Sequence, residues 1–356
     1  MKELKKSRKL VALGTLDKIL GLLIVVCFCA CTNTENYTPP TFPEERRMEG
    51  RCLADHLLIS YAYGMCVDDD YIYVLALSDN RWVQIYDKDN GTHLGSFVGR
   101  GPGPGEVNMG ISMTLSKDKK HLSVYDQAQQ RLVTYSVSKS SGIPVLAFEE
   151  SEDFYKYNSV VRDVWPLQNS FLVNGQLGEQ DGMPKRFQLL RDTRIVASYN
   201  DFPVEKIEQQ LDFWSPRICI SPSYEKMATG ILFGGIMEIF DLSDENNISL
   251  KSLHYFYEPN VRYDSGTILP NAGMRYGFST MCATEERIYT VLIGDESTKN
   301  SNHVSVFDWD GNGIVKYHTG QSLFKLAISD VDQDKLYALT FDSSKGLSLY
   351  VYDLND

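Results

Sequence analysis

Arginines and aromatic side chains recur at one kind of place in this sequence. Tyr63, Arg100, Glu106, Arg162, Trp214, Arg217, Arg275 and Tyr276 all stand at the entry to a short apolar run. A guanidinium offers a planar fork that pairs with carboxylate or sulfate, and an aromatic ring stacks on a sugar face. Gathered on one rim, these residues would form a ligand-binding surface; spread apart, they would only brace loops. Chemistry of other kinds is poorly provided for. The six histidines, His56, His93, His121, His254, His303 and His318, fall outside the positions where those runs would converge, so several imidazoles do not meet on one metal. Cys66, Cys219 and Cys282 occupy one repeated position, just before Val67, Ile220 and Ala283, where other units place Thr114, Asp163 and Ala327. That pattern asks for a small packed residue, and without a neighbouring histidine it does not make a nucleophile. No catalytic residue is expected. Acidic clusters at Asp68 to Asp70 and at Asp330, Asp332 and Asp334 offer oxygen ligands of the kind calcium takes. The second has an Asp-x-Asp-x-Asp rhythm, yet Lys335 and Phe341 stand where a calcium loop needs glycine and glutamate, so solvated turns are expected. No cofactor is expected, and calcium is the one ion these clusters leave open.

The stretch "GRGPGPGEV", Gly99 to Val107, puts four glycines and two prolines into nine residues, which bars both a helix and a central strand. Its proline-restrained backbone makes it a shaped loop. A phosphate-cradling loop would need Gly-Lys-Ser/Thr and a following helix, and Glu106-Val107-Asn108 supplies neither. A tight connection between two strands is expected.

The elements that position these residues are strands. From Met48 onward, short β-branched and aromatic runs are bounded by Asp, Asn and Gly, and helical periodicity is nearly absent. "VQIYD", "LSVYD", "MEIFD", "VSVFD" and "LYVYD" each end on an aspartate suited to opening a turn. A strand–polar turn–strand landmark recurs at Val67, Leu115, Val164, Ile220, Ala283 and Ile328, at intervals of 48, 49, 56, 63 and 45 residues. Six units with a period near 50 define a six-bladed β-propeller over residues 48–356. "EKIEQQLDFWSPR" and "PNVRYDSGTILPNAGMRYG" read as enlarged loops in the longer units. The sixth unit offers strands around Phe324 to Ser329, Lys335 to Phe341 and Leu347 to Asp353. Three strands leave an unpaired edge, so Gly50 to Ser60 is expected to close the last blade as its outermost strand.

Residues 1–30 read as a lipoprotein signal peptide. Six basic residues, Lys2 to Lys18, precede an apolar run of 12 residues from Ile19 to Ala30, too short for the roughly 20 that cross a bilayer. Ala30-Cys31 resembles the lipobox of bacterial lipoproteins, with Cys31 the lipidated residue and Phe28 where leucine is usual. Residues 31–47, including "TNTENYTPPTFPEE", read as a lipid-anchored tether that could reach roughly 40 Å at about 3 Å per extended residue. Removing the leader takes six basic and two acidic side chains from a formal net charge of −12, leaving −16. So acidic a domain repels nucleic acid, and contact with the membrane is expected only through the lipid. Cys52, Cys66, Cys219 and Cys282 permit disulfides but are too few to scaffold the chain.

Tyr63 to Val107 resembles an NHL repeat, with the Asp79-Asn80-Arg81 hairpin and the Gly105-Glu106 pair matching and Val107 replacing the usual phenylalanine. Taken whole, the chain is similar to the TolB-like six-bladed propeller lipoproteins of Bacteroidetes-type bacteria. That resemblance implies the fold and a place in the bacterial cell envelope, in the outer membrane, but it does not assign a function. The expected function is that of a monomeric binding or scaffold protein whose partner is an envelope protein or a glycan. The alternatives are a propeller hydrolase or lyase with calcium at the channel mouth, and a glycan-binding protein using Trp214 or Tyr276.

Overall fold

In the computed structural model, residues 36–140, 142–157, 160–178, 185–204, 213, 215–329 and 332–355 are described. Long stretches such as Tyr71–Ser78 are buried on both faces, and in a strand that means alternate side chains are covered from opposite sides. Ile72, Val74 and Ala76 pack with Tyr337, Leu339 and Leu349 near the C-terminus, while Tyr71, Tyr73 and Leu75 pack with Leu122, Val124 and Val133. The pattern repeats around a ring. Each sheet is sandwiched between two others, and six such seams hold most of the core, with a smaller cluster around Phe213, Ile231 and Ile236 beside them.

The result is a six-bladed β-propeller with antiparallel blades. Gly64–Val67, Gly110–Leu115, Val160–Pro166, Arg217–Ile220, Phe278–Ala283 and Leu323–Ile328 are the innermost strands, and each carries its landmark residue. The turn-opening role of the aspartates is visible in the carboxylates. Asp87 Oδ1 accepts the N–H groups of Asp89 and Asn90, and Asp308 Oδ1 those of Asp310 and Asn312. Asp126 does this too, accepting the Gln129 N–H, and also accepts from Asn108 and Met109 at the entry to its own blade.

The sixth blade consists of Leu323–Ile328, Lys335–Asp342, Gly346–Asp353 and, outermost, Gly50–Ala54, which runs antiparallel to Gly346–Asp353. Only residues 50–54 of the stretch from Gly50 to Ser60 form this strand. The expected tether also differs. From Tyr37 onward the chain lies on blades four and five: the Tyr37 and Tyr255 rings meet edge to face at 5.5 Å, Phe42 packs on Phe307 at 5.3 Å, and Glu44–Arg47 adds a parallel fifth strand along Gly313–His318. Phe42 and the tyrosine give that segment something to bury, which proline and threonine content conceals. Of the enlarged loops, the later one folds into a hairpin of Val261–Asp264 and Thr267–Pro270.

"GRGPGPGEV" crosses from blade one to blade two as a braced connection. Gly105 takes a left-handed φ of 69°, and a Cβ there would lie 2.7 Å from that of Phe148. Arg131 donates to the carbonyls of Gly103 and Glu106 at 3.0 and 2.6 Å, Tyr135 to that of Gly105 at 3.1 Å, and Trp82 to that of Val107 at 2.7 Å.

Candidate binding site at the channel mouth

The innermost strands enclose an axial channel with a cavity at each end. Both cavities are lined by Met65, Met113, Trp165, Ile218 and Met281, so one apolar collar separates them. After the collar residue comes Cys66, Thr114, Pro166, Cys219, Cys282 or, in blade six, Ala327, all lining the far cavity of about 230 Å³. By pairing register Trp165, not Asp163, is the blade-three counterpart of the cysteines, facing Leu172 as Thr114 faces Ser123 and Cys282 faces Tyr289. Asp163 follows a bulge, as Ser112, Thr280 and Lys325 do in blades two, five and six. All four described cysteines are free. Burial pushes the Cys219 thiol up to about 12 and those of Cys66 and Cys282 well above the usual thiol range, which keeps them protonated and unreactive.

The near cavity, about 180 Å³, opens where the chain enters the innermost strands. Its polar lining comes from Tyr63, Ser112, Asp163, Arg217, Ser279, Thr280 and Lys325. The Ser112 hydroxyl and the Val164 amide, the latter at 2.8 Å, donate to Asp163, but burial outweighs both and pushes its carboxyl up to about 7. Lys325 faces the cavity, yet it lies deep enough that burial, reinforced by the Arg217 charge, pushes its ammonium down to about 7. Among the described residues neither Arg217 nor Lys325 has an ion-pair partner, and Arg217 Nε and Ser279 Oγ are buried without hydrogen bonds. The Lys325 Nζ lies 5.5 Å from the Phe324 ring centre. Phe324 meets Tyr61 at 5.1 Å, Tyr61 meets Tyr63 at 4.9 Å and Tyr63 meets Trp82 at 5.8 Å, forming an aromatic wall that runs from Lys325 to the Tyr63 lining of the cavity.

Of the residues singled out in the sequence, Tyr63 and Arg217 line this mouth. Arg162 stands beside Asp163 at the bulge and is not part of the lining. Glu106 is engaged inside its own loop, where its Oε2 accepts the Gly103 N–H at 3.0 Å. Arg100 pairs as a bridge with Val107. Arg275 covers the Tyr257 ring at 5.7 Å and Tyr276 packs near Phe233, both away from the cavity. Trp214 and the lipobox cysteine, Cys31, lie outside the described residues. Lys325, Asp163, Ser112 and Ser279 were missed. Lys325 carried a readable signal, a lysine inside the apolar run "LFKLAI". Neither cavity is lined by a histidine. The Asp68 carboxylate is spent on the amides of Asp70 and Tyr71 and the Tyr73 hydroxyl, as a turn requires. Asp330 lies outside the described residues.

Together the ring of blades and the axial mouth define a six-bladed β-propeller with a small polar chamber at one end of its channel. The chain belongs to the TolB-like 6-blade propeller-like family, which matches residues 41–331. A Bacteroides fragilis protein described as exported superposes with a TM-score of 0.53 at 14% identity, over 87% of this chain and 98% of that one. The calcium-binding protein regucalcin from Agrobacterium tumefaciens superposes with a TM-score of 0.51 at 12% identity, over 87% and 95%. At such identities the likeness is one of fold. No curated protein matches the sequence. Among the described residues no helix is long and apolar enough to cross a membrane.

Proposed function

We propose that this propeller is a binding protein of the bacterial cell envelope that holds a small anionic group at the Arg217 mouth of its channel. One observation carries the reading: two basic groups, Arg217 and Lys325, line one cavity without a carboxylate paired to either. A guanidinium whose Nε is buried without a partner is costly, and an anion seated against it offsets that cost. The fork of Arg217 suits carboxylate, sulfate or phosphate, and the orphan Ser279 hydroxyl adds a donor. Calcium is not favoured, because the mouth presents a single carboxylate, Asp163, whereas calcium takes about six to eight oxygens.

Titration calorimetry with sulfate, phosphate, acetate and glucuronate tests this. Arg217→Ala removes a charge-assisted contact of about 1.5–3 kcal/mol, so affinity should fall by about 10- to 100-fold while the melting temperature holds or rises. Equal affinity in the variant and the parent would place the site elsewhere. Glucuronate binding more tightly than acetate would show that the wall of Tyr61, Tyr63 and Phe324 reads a sugar ring.

The basic leader, the short apolar run and Ala30-Cys31 support export and lipid anchoring through Cys31. Cys31→Ala should abolish incorporation of labelled palmitate and release the protein from the membrane fraction. Continued labelling of that variant would refute the assignment.

A further inference from the structure

We propose that Lys325 is a nucleophilic amine that captures oxo acids as an imine in the channel mouth, with Arg217 holding the carboxylate. This rests on the anion-binding reading and adds covalent chemistry to it. The placement of Lys325 is unlike that of lysines fixed by acids. Lys156 pairs with Glu152 at 2.6 Å, Lys251 with Asp310 at 2.8 Å and Lys335 with Asp332 at 3.2 Å, all on the surface. Lys325 instead lines a chamber of about 180 Å³ above an apolar collar, against the Phe324 ring and near enough to Arg217 for that charge to disfavour its ammonium. A lysine desolvated beside a second cation holds a free lone pair at neutral pH, the condition for attack on a carbonyl. The other titratable groups lining the mouth are Tyr63, Asp163 and Arg217. With its carboxyl raised to about 7, Asp163 neutralises the pair of cations only partly.

The step balances without a redox partner. The Nζ lone pair forms a C–N bond as the carbonyl π pair moves to oxygen, and a proton passes from nitrogen to that oxygen to give a carbinolamine. Protonation of the hydroxyl lets it leave as water while the nitrogen lone pair closes the C=N bond. A 2-oxo acid suits the mouth because its carboxylate and carbonyl are adjacent, so one small molecule can meet both Arg217 and Lys325.

The test incubates the full chain with glyoxylate or pyruvate and sodium cyanoborohydride, which reduces the imine to a stable amine, and maps the adduct by peptide mass spectrometry. Lys325 should be modified at least tenfold faster than surface lysines at pH 7, with a rate that rises between pH 6 and 8. Lys325→Arg should lose the adduct, because a guanidinium does not form the imine, and Arg217→Ala should lose both the adduct and sulfate binding. Even labelling across the lysines, with sulfate still bound at the mouth, overturns the imine and leaves the anion site standing. Absence of sulfate and acetate binding in the parent protein overturns the anion reading, and an adduct on Lys325 that survives Arg217→Ala overturns the role given to the guanidinium.

Discussion

Arg186→Ala will lower stability by about 3–5 kcal/mol, because it strands a carboxylate inside the protein. Arg186 precedes the blade-three strand Phe187–Arg191 and reaches into blade four, where it meets Glu238 through two hydrogen bonds of 2.8 and 2.5 Å. Both side chains are only 2% exposed. The guanidinium also donates to the Asp201 carbonyl and lies 5.2 Å from the ring centres of Phe187 and Phe202, while Thr229 donates to Glu238 at 3.1 Å. The pair therefore joins two blades through a buried, hydrogen-bonded network, and removing one member leaves the other charged and dry. For a domain of this size the melting temperature should fall by roughly 5–10 °C. The double variant Arg186→Met, Glu238→Leu should recover most of the loss, since the desolvation cost of both ions disappears together. Thermal unfolding of the two single variants and the double checks this; single variants within about 1 kcal/mol of the parent would show that the network contributes nothing.

Removing the N-terminal strands will produce the second large effect. The chain from Tyr37 serves as the reference, and deletion through Ala54 takes away Glu44–Arg47, Gly50–Ala54 and Met48, which is buried between them. The Gly346–Asp353 strand then becomes an open edge bearing Leu347, Leu349 and Val351, an invitation to pair with another chain. Losing Met48 and Phe42 from their contacts, together with a ladder of backbone hydrogen bonds, amounts to about 5 kcal/mol. The shorter protein should melt about 10 °C lower and aggregate at concentrations where the longer one does not. Equal melting temperatures, read by calorimetry with light scattering in parallel, would show that the ring does not depend on these strands.

Local order was legible in the sequence because it is written in short-range rules. Alternation in "YIYVLALS" dictates a strand with two faces, an aspartate after an aromatic residue opens a turn, and a period near 50 residues counts the blades. The sixth-blade strands Leu323–Ile328, Lys335–Asp342 and Gly346–Asp353 lie within a residue or so of where those rules place them. The site was only half legible. Entry to an innermost strand could be read, and it drew attention to Arg217 and Tyr63, but it drew equal attention to Arg275, Tyr276 and Glu106, whose partners Tyr257, Phe233 and Gly103 lie on the flanks.

What only the tertiary structure decided is which side chains meet across the axis. Bulges in the innermost strands of blades two, three, five and six set Ser112, Asp163, Thr280 and Lys325 toward the mouth, and no repeat count registers them. Nor does sequence show that Arg217 and Lys325, more than 100 residues apart, share one chamber, with Asp163 as its single carboxylate. Pairing and burial of charge are properties of six blades closed into a ring, and the free energy of a guanidinium depends on what has been brought beside it, not on its neighbours along the chain.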